Sequence, residues 1–574
     1  MSWPAMSIEQ AHAAMTAPGS PYETTEITID GRRQTIWKNA PPTMREIFLA
    51  SRVHGEKIFL VYEDERVSFD QFARATLAMA HALQADGVAK GDRVVIAMRN
   101  LPEWPVGLFA AWLVGAIAVP LNAWWTGPEL EYALRDCGAT VAIVDAERLD
   151  RMAPVLPQCP DLKRVYVSRS PEPLDGPQLV SLESVIGPSA NWGKLADLPV
   201  PTVVLEPEDD ASILYTSGTT GNPKGALGTH RNAVTTVATT AFSTHRNFVR
   251  AGQPIPKPED RKVQVSFLVG IPFFHVTGCL CIVCPALLGG GKLVAMHRWE
   301  TERAMALIER ERCTHTGGVP TLAWQILEHP ARTQYDLSSL ESMAYGGAPA
   351  AAELVRRIDE IMPAASPGIG WGMTETSATF SGHSGEDYRR RPDSSGPALP
   401  VGKMKIAGDD GIELARGEVG ELWAYGPNVV KGYWGKPQAT AETFVDGWVR
   451  TGDLATMDDE GFLYIVDRKK DMLIRGGENI YCVEVESALY EHPAVMDAGV
   501  IGLPHKTLGE EPAAVVTLKA GMQASEEELK AFVRSRLAAF KVPVRIVMLD
   551  DTLPRNANGK ILKKALRPYF DTPA

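Results

Sequence analysis

The densest chemistry in the chain lies at Ile213–Gly225, where an apolar run opens into Thr216, Ser217, Gly218, Thr219, Thr220, Gly221, Asn222, Pro223, Lys224 and Gly225. Glycines let the backbone turn tightly and aim N–H groups inward, the hydroxyls add donors, and Lys224 adds positive charge. That set suits the oxygens of a polyphosphate. It is not the Walker arrangement, because no Gly-Lys-Ser/Thr triplet opens a helix after the spacer. A purely structural turn would account for the glycines but leave the hydroxyls and the lysine without a reason.

Further motifs follow in order: Pro272–His275 (Pro-Phe-Phe-His), Tyr345–Pro349 (Tyr-Gly-Gly-Ala-Pro), Gly370–Thr376 (Gly-Trp-Gly-Met-Thr-Glu-Thr), Thr451–Asp453 (Thr-Gly-Asp), Asp467–Asp471 (Asp-Arg-Lys-Lys-Asp) and Pro554–Lys560 (Pro-Arg-Asn-Ala-Asn-Gly-Lys). With the phosphate loop, this ordered set resembles the adenylate-forming superfamily of acyl-CoA synthetases, aryl-CoA ligases, luciferases and peptide-synthetase adenylation domains. The resemblance implies that ATP and a small carboxylic acid form an acyl-adenylate with Mg²⁺, and that coenzyme A then takes the acyl group.

By resemblance, Thr216–Lys224 holds the β- and γ-phosphates, Thr374 donates to phosphate, and Glu375 helps hold Mg²⁺. Adenine lies between Gly346, Gly347, Ala348 and the Trp371–Gly372 segment. Trp371 stands where relatives usually have Tyr; a core aromatic is the other reading for it. Asp453 accepts the ribose hydroxyls, and Arg468 supports the ribose or the adenylate phosphate. Lys560 bridges the substrate carboxylate and ATP. His275 stands where relatives place an aromatic gate, with a neutral core histidine as the rival reading. The resemblance further implies that the C-terminal domain rotates between half-reactions about Lys470. Arg475–Asn479, with Gly476, Gly477 and Glu478, then faces the thiol. Cys482 replaces a proline common at that point.

The acyl pocket is expected near His275–Gly278, Gly317–Pro320, Tyr345–Gly347 and Gly372–Ala378, a lining that is apolar and rich in glycine. No Asp or Arg stands out there to pair with a charged tail, which favours a hydrophobic acid. A medium- or long-chain fatty acid comes first; aryl and alicyclic acids are the alternative. A non-catalytic nucleotide sensor on the same fold would have no need of Lys560 alongside Lys224, Glu375, Asp453 and Arg468.

These side chains need a scaffold to bring them together. At 574 residues the chain exceeds what one core usually organises, so more than one domain is expected. Strand-like runs at Lys57–Tyr62, Asp92–Ala97 and Thr140–Val144 alternate with helical spacing at Phe69–Leu83, which predicts an α/β fold. The expected architecture is a large N-terminal domain, 1–466, of layered, largely parallel sheets with helices. A hinge at 467–471 and a small, mobile α+β domain at 472–574 would follow. Gly252–Lys262 and Ser381–Pro400 are expected to be polar loops.

A net charge of −12, with no run of Lys and Arg that looks like a tract for a phosphate backbone, argues against a nucleic-acid partner. Seven cysteines without regular pairing suggest reduced thiols and a cytoplasmic setting. Cys279, Cys281 and Cys284 read as buried core thiols rather than metal ligands. No secretory signal is expected from Met1–Glu9. The apolar stretch at Leu108–Val119 is short of the ~20 residues of a transmembrane span and reads as a buried helix. A homodimer is left open.

Overall fold

The computed structural model describes residues 3–216, 222–257, 261–348, 350–556 and 559–571. Among these residues, two eight-stranded sheets form the large unit. The first runs in the order Gly432–Tyr433, Lys224–Thr229, Asp210–Thr216, Ile117–Pro120, Arg93–Ala97, Val141–Asp145, Arg164–Ser168 and Leu179–Ser181. It is parallel from Asp210–Thr216 onward and antiparallel at the other edge. Its central strands are continuous apolar runs buried on both faces, as covered parallel sheets require.

The second sheet runs Ala378–Ser384, Ser366–Met373, Ser342–Gly346, His315–Gly318, Ser266–Val269, Lys292–Ala295, Ile58–Tyr62 and Glu65–Ser68. It is parallel apart from its two edge pairings. Helices Phe69–Ala85 and Glu103–Leu113 lie in a core that includes Phe59 and Leu60 of this sheet and Val94 and Ile96 of the first. Every residue of Glu103–Leu113 is buried. The helix expected over Leu108–Val119 ends at Leu113, and the rest becomes the strand Ile117–Pro120. No helix among the described residues is long and apolar enough to cross a membrane.

An antiparallel sheet not anticipated from sequence joins Lys403–Ala407, Gly420–Tyr425, Trp448–Met457, Phe444–Val445 and Leu463–Arg468. Asp467 and Arg468, expected in the hinge, are the last residues of this ladder, opposite Leu454 and Asp453. The chain turns just after them: the Lys469 N–H donates to the Gly452 carbonyl, and the Asp471 and Met472 N–H groups donate to the Arg468 carbonyl. Beyond the turn, strands Leu473–Arg475, Glu478–Ile480, Val495–His505, Gly509–Leu518 and Arg545–Leu549 pack with helices Cys482–Tyr490 and Glu526–Arg534 around a separate apolar core. This is the α+β small unit.

The polar stretch Ser381–Pro400 is not a plain loop. It completes strand Ala378–Ser384 and forms helix Gly385–Arg390. Asp387 in that helix is fully buried against Arg250, the last residue of helix His230–Arg250, with contacts of 2.9 and 2.5 Å. A paired buried charge explains how a charged segment enters the interior.

Candidate active site

The phosphate loop spans a hairpin. Strands Asp210–Thr216 and Lys224–Thr229 are antiparallel, with Thr216 directly opposite Lys224. Ser217, Gly218, Thr219, Thr220 and Gly221 lie outside the described residues. Thr216 and Lys224 border a cavity of about 1490 Å³. Across it, strand Ser366–Met373 passes into the short helix Thr374–Thr376, which brings Thr374 and Glu375 to the same cavity. Gly372 is required at that junction: a Cβ there would lie 1.8 Å from the Ala378 carbonyl oxygen.

Glu375 is buried and accepts from the Tyr433 hydroxyl at 2.6 Å. Burial raises its pKa, while Tyr433, Arg468 and Lys224 oppose the rise. The Lys224 ammonium lies 5.0 Å from the centre of the Tyr433 ring, so one tyrosine touches both the cation and the carboxylate.

Asp453 is buried and doubly held. Its Oδ2 accepts from Trp371 Nε1 at 2.8 Å, and its Oδ1 meets Arg468 Nε at 2.5 Å. The Trp371 ring packs in the core of the antiparallel sheet and also borders the cavity beside Gly346 and Gly347. Ala348 is half-buried next to Gly347, and Pro349 lies outside the described residues.

Lys560 reaches this cavity from the small unit. Its loop is closed by hydrogen bonds from the Lys560 N–H to Asn556 Oδ1 at 3.0 Å and from the Asn556 N–H to the Lys560 carbonyl at 2.9 Å. Gly559 has φ +75°, and a Cβ there would come within 2.7 Å of Val319 of the large unit. Glycine alone fits that approach comfortably. A Cβ placed on Gly347 would lie 3.8 Å from Lys560 Cε. Burial lowers the Lys560 pKa to about 8, with Arg468 adding to the effect and Asp453 opposing it. Ammonium groups from both folding units thus border one cavity, together with Arg468 and Lys470. Such a convergence of cations suits a polyanion.

His275 also lines the cavity. Burial first, and the Lys560 charge second, lower its pKa to about 3, which makes it a neutral imidazole at physiological pH. A second cavity of about 480 Å³ shares His275, Gly346, Gly347 and Lys560 with the first and extends past Trp124 to Arg99, His297 and Arg298. The Arg99 guanidinium sits 4.4 Å above the Trp124 ring, and its Nε and Nη1 have no partner among the described residues. Burial lowers the His297 pKa and keeps its ring neutral, which leaves Arg99 and Arg298 as the cations; neither belongs to a motif that could have pointed to it.

Gly476, Gly477 and Glu478 stand apart from both cavities. They form the turn and second strand of an exposed hairpin of the small unit. Cys482 is buried, its N–H donating to Asp467 Oδ2 and its thiol to the Asp471 carbonyl. Burial raises its pKa, which marks an unreactive thiol. Cys279 and Cys284 are buried as expected, but Cys281 faces the cavity, its Sγ 3.2 Å from Thr379 Oγ1. No metal-binding cluster of three or more His, Cys, Asp or Glu occurs among the described residues.

Comparison with known proteins decides the family. Residues 48–434 match the AMP-binding enzyme model, and residues 484–560 match the AMP-binding enzyme C-terminal domain. The chain belongs to the AMP-binding enzyme family. Within it, the chain is 36% identical over 505 residues to a feruloyl-CoA synthase of an Amycolatopsis species, covering 88% of this chain and 94% of that protein. It is 32% identical over 532 residues to a long-chain-fatty-acid–CoA ligase of Bacillus subtilis, covering 89% and 91%. An anthranilate CoA ligase in complex with anthranoyl-AMP superposes with a TM-score of 0.82 at 26% identity, covering 92% and 97%. This AMP-binding enzyme is an AMP-forming acid–CoA ligase of the acyl and aryl class.

Proposed function

We propose that this ligase activates a hydrophobic carboxylic acid, first a medium- or long-chain one, by rotating its small unit between adenylation and thioester formation. The observation that carries the reading is that Lys224 and Lys560, from different folding units, border the same cavity. Attack of the carboxylate on the α-phosphorus drains charge from the attacking oxygen and places it on the α-phosphate oxygens and on the departing pyrophosphate. Lys560, beside Gly347, is placed to hold the carboxylate against the α-phosphate; Lys224, on the phosphate hairpin, is placed for the pyrophosphate. Preorganised cations in a desolvated site are the main electrostatic resource for such a step.

Asp453 orients the ribose, restrained by Trp371 and Arg468. Glu375 fits a Mg²⁺ ion: its Oε1 is taken by Tyr433, no other side chain among the described residues donates to its Oε2, and it lies beside the phosphate hairpin. Mg²⁺ typically pairs one or two carboxylates with substrate phosphates and, when bound, would neutralise charge on the leaving group. Neutral His275, between the two cavities, is placed to separate acid from thiol. The second cavity, lined by the guanidinium groups of Arg99 and Arg298, suits an incoming thiol that carries phosphates. Gly317, Ala344 and Gly368, which line the larger cavity with almost no side chain, support the second reading, an aryl or alicyclic acid.

The ligase reading is tested by acid-dependent exchange of pyrophosphate into ATP and by CoA-dependent release of AMP. Exchange with no acid from a broad panel would refute it. The rotation is tested with Lys470→Pro, which blocks the backbone change at the turn. Exchange should persist while thioester formation drops at least about tenfold; equal loss of both steps would rule out this pivot.

A pH profile tests Lys560. Its ammonium is present below about 8 and lost above, so kcat/KM for adenylation should fall on the alkaline side of that value, since this parameter reports the free enzyme. Lys560→Arg should remove the falling limb whatever its residual rate, because guanidinium does not titrate there. A limb that persists in the arginine variant belongs to another group.

A further inference from the structure

The first cavity continues well past the lysines, along the strands of the second sheet. Gly317, Ala344 and Gly368 stand side by side in register, and two residues back His315, Ser342 and Ser366 form a parallel row. Both rows line the cavity. At about 3.3 Å per residue, the second row lies roughly 13 Å from the Gly346 end, where Lys560 sits. The near row presents almost no side chain, so the space above it is broad and suited to an apolar body.

The far row is polar. His315 Nδ1 pairs with Thr314 Oγ1 at 2.8 Å, leaving Nε2 without a hydrogen bond among the described residues. Burial lowers its pKa to about 4, which keeps the ring neutral. No hydrogen bond engages the Ser342 or Ser366 hydroxyl among the described residues. From the facing helix, Asn247 donates its amide to Ser384 Oγ, while its Oδ1 is buried and unpartnered among the described residues. Thr240, Thr244 and Asn247 recur about one turn apart on that helix and line the same cavity.

A hydrocarbon tail reaching this row would leave the buried Asn247 Oδ1 unpartnered and would shut water away from the half-buried ring and hydroxyls of His315, Ser342 and Ser366, which disfavours it. An anionic tail is also disfavoured, because Arg261 near the mouth is already paired with Glu341 at 2.6 Å. We propose that the acid is bifunctional: its carboxylate reacts at the nucleotide, and about 13 Å away it carries a neutral hydroxyl or oxo group received by His315, Ser342, Ser366 and Asn247. This rests on the ligase reading above and narrows its substrate class.

The test compares decanoate, its ω-hydroxy and ω-oxo derivatives and the corresponding diacid by kcat/KM for pyrophosphate release, using the full chain. An ω-hydroxy or ω-oxo acid should exceed decanoate by at least about tenfold, since a site that hydrogen-bonds a polar group discriminates against the analogue lacking it. In Ser342→Ala and Ser366→Ala that ratio should fall toward one. A ratio taken within one variant is unaffected by partial loss of folded enzyme. Turnover with decanoate equal to or above its oxygenated derivatives, a preference for the diacid, or a ratio untouched by both substitutions would overturn the proposal and leave the ligase reading intact. No release with any acid would remove the ligase reading itself, and this one with it.

Discussion

Lys560→Ala is expected to cut acid-dependent pyrophosphate exchange by about 10²–10³-fold, the usual cost of removing one preorganised donor from a developing charge. Thioester formation from preformed acyl-adenylate should fall much less, because the proposed rotation carries this loop away before the thiol arrives. The lysine is half-buried and touches the large unit through a loop closed on Asn556 and seated at Gly559 against Val319. Truncation therefore removes charge without a long flexible stem that could compensate from elsewhere. Single-turnover measurement of each half-reaction separates the two losses. Equal loss in both would mean that Lys560 supports the fold of the site rather than the first chemical step.

The second large effect concerns stability. Asp387→Ala leaves the Arg250 guanidinium buried without its carboxylate, and breaking such a pair typically costs about 3–5 kcal/mol. Both side chains are almost completely excluded from solvent, and Arg250 also donates to the Met6 carbonyl at 2.7 Å. The pair ties the C-terminal end of helix His230–Arg250, which walls the larger cavity, to helix Gly385–Arg390 beside it. Denaturant or thermal unfolding should register the loss. A combined Arg250→Met and Asp387→Leu replacement should recover most of it, since apolar groups of similar volume often substitute for a buried pair. Single variants that unfold like the parent would contradict this account.

How much of this was legible in the sequence depended on whether a signal was local. The phosphate hairpin announces itself because glycine, hydroxyl and charge must recur at short spacing wherever a backbone approaches a phosphate, whereas Thr374–Glu375, Asp453 and the Lys560 loop were legible only through the ordered motifs that resemble the family. The parallel strands Arg93–Ala97 and Val141–Asp145 were equally plain, as uninterrupted apolar runs of strand length. What the sequence hid was contact between distant elements. Nothing near Trp371 says that its indole will hold Asp453, or that Arg99 will rest on Trp124 beside His275. The spacing of Thr240, Thr244 and Asn247 is visible as a helical stripe, but which surface the stripe faces is set by packing against a sheet assembled from later residues. Ser381–Pro400 read as a polar, Pro-containing stretch, whereas one of its charges, Asp387, is satisfied in the interior by Arg250, far earlier in the chain. Gly476–Glu478 lies away from the cavities because its position depends on the orientation of a whole unit, which no local pattern encodes.

The register of Asp453 against Arg468 puts both residues before the proposed pivot, on the ladder that immediately precedes the turn at 469–472. Lys560 follows that turn and belongs to the small unit. In the proposed rotation the carboxylate assigned to the ribose therefore stays with the stationary body while the lysine travels, so one nucleotide grip would serve before and after the acid is activated.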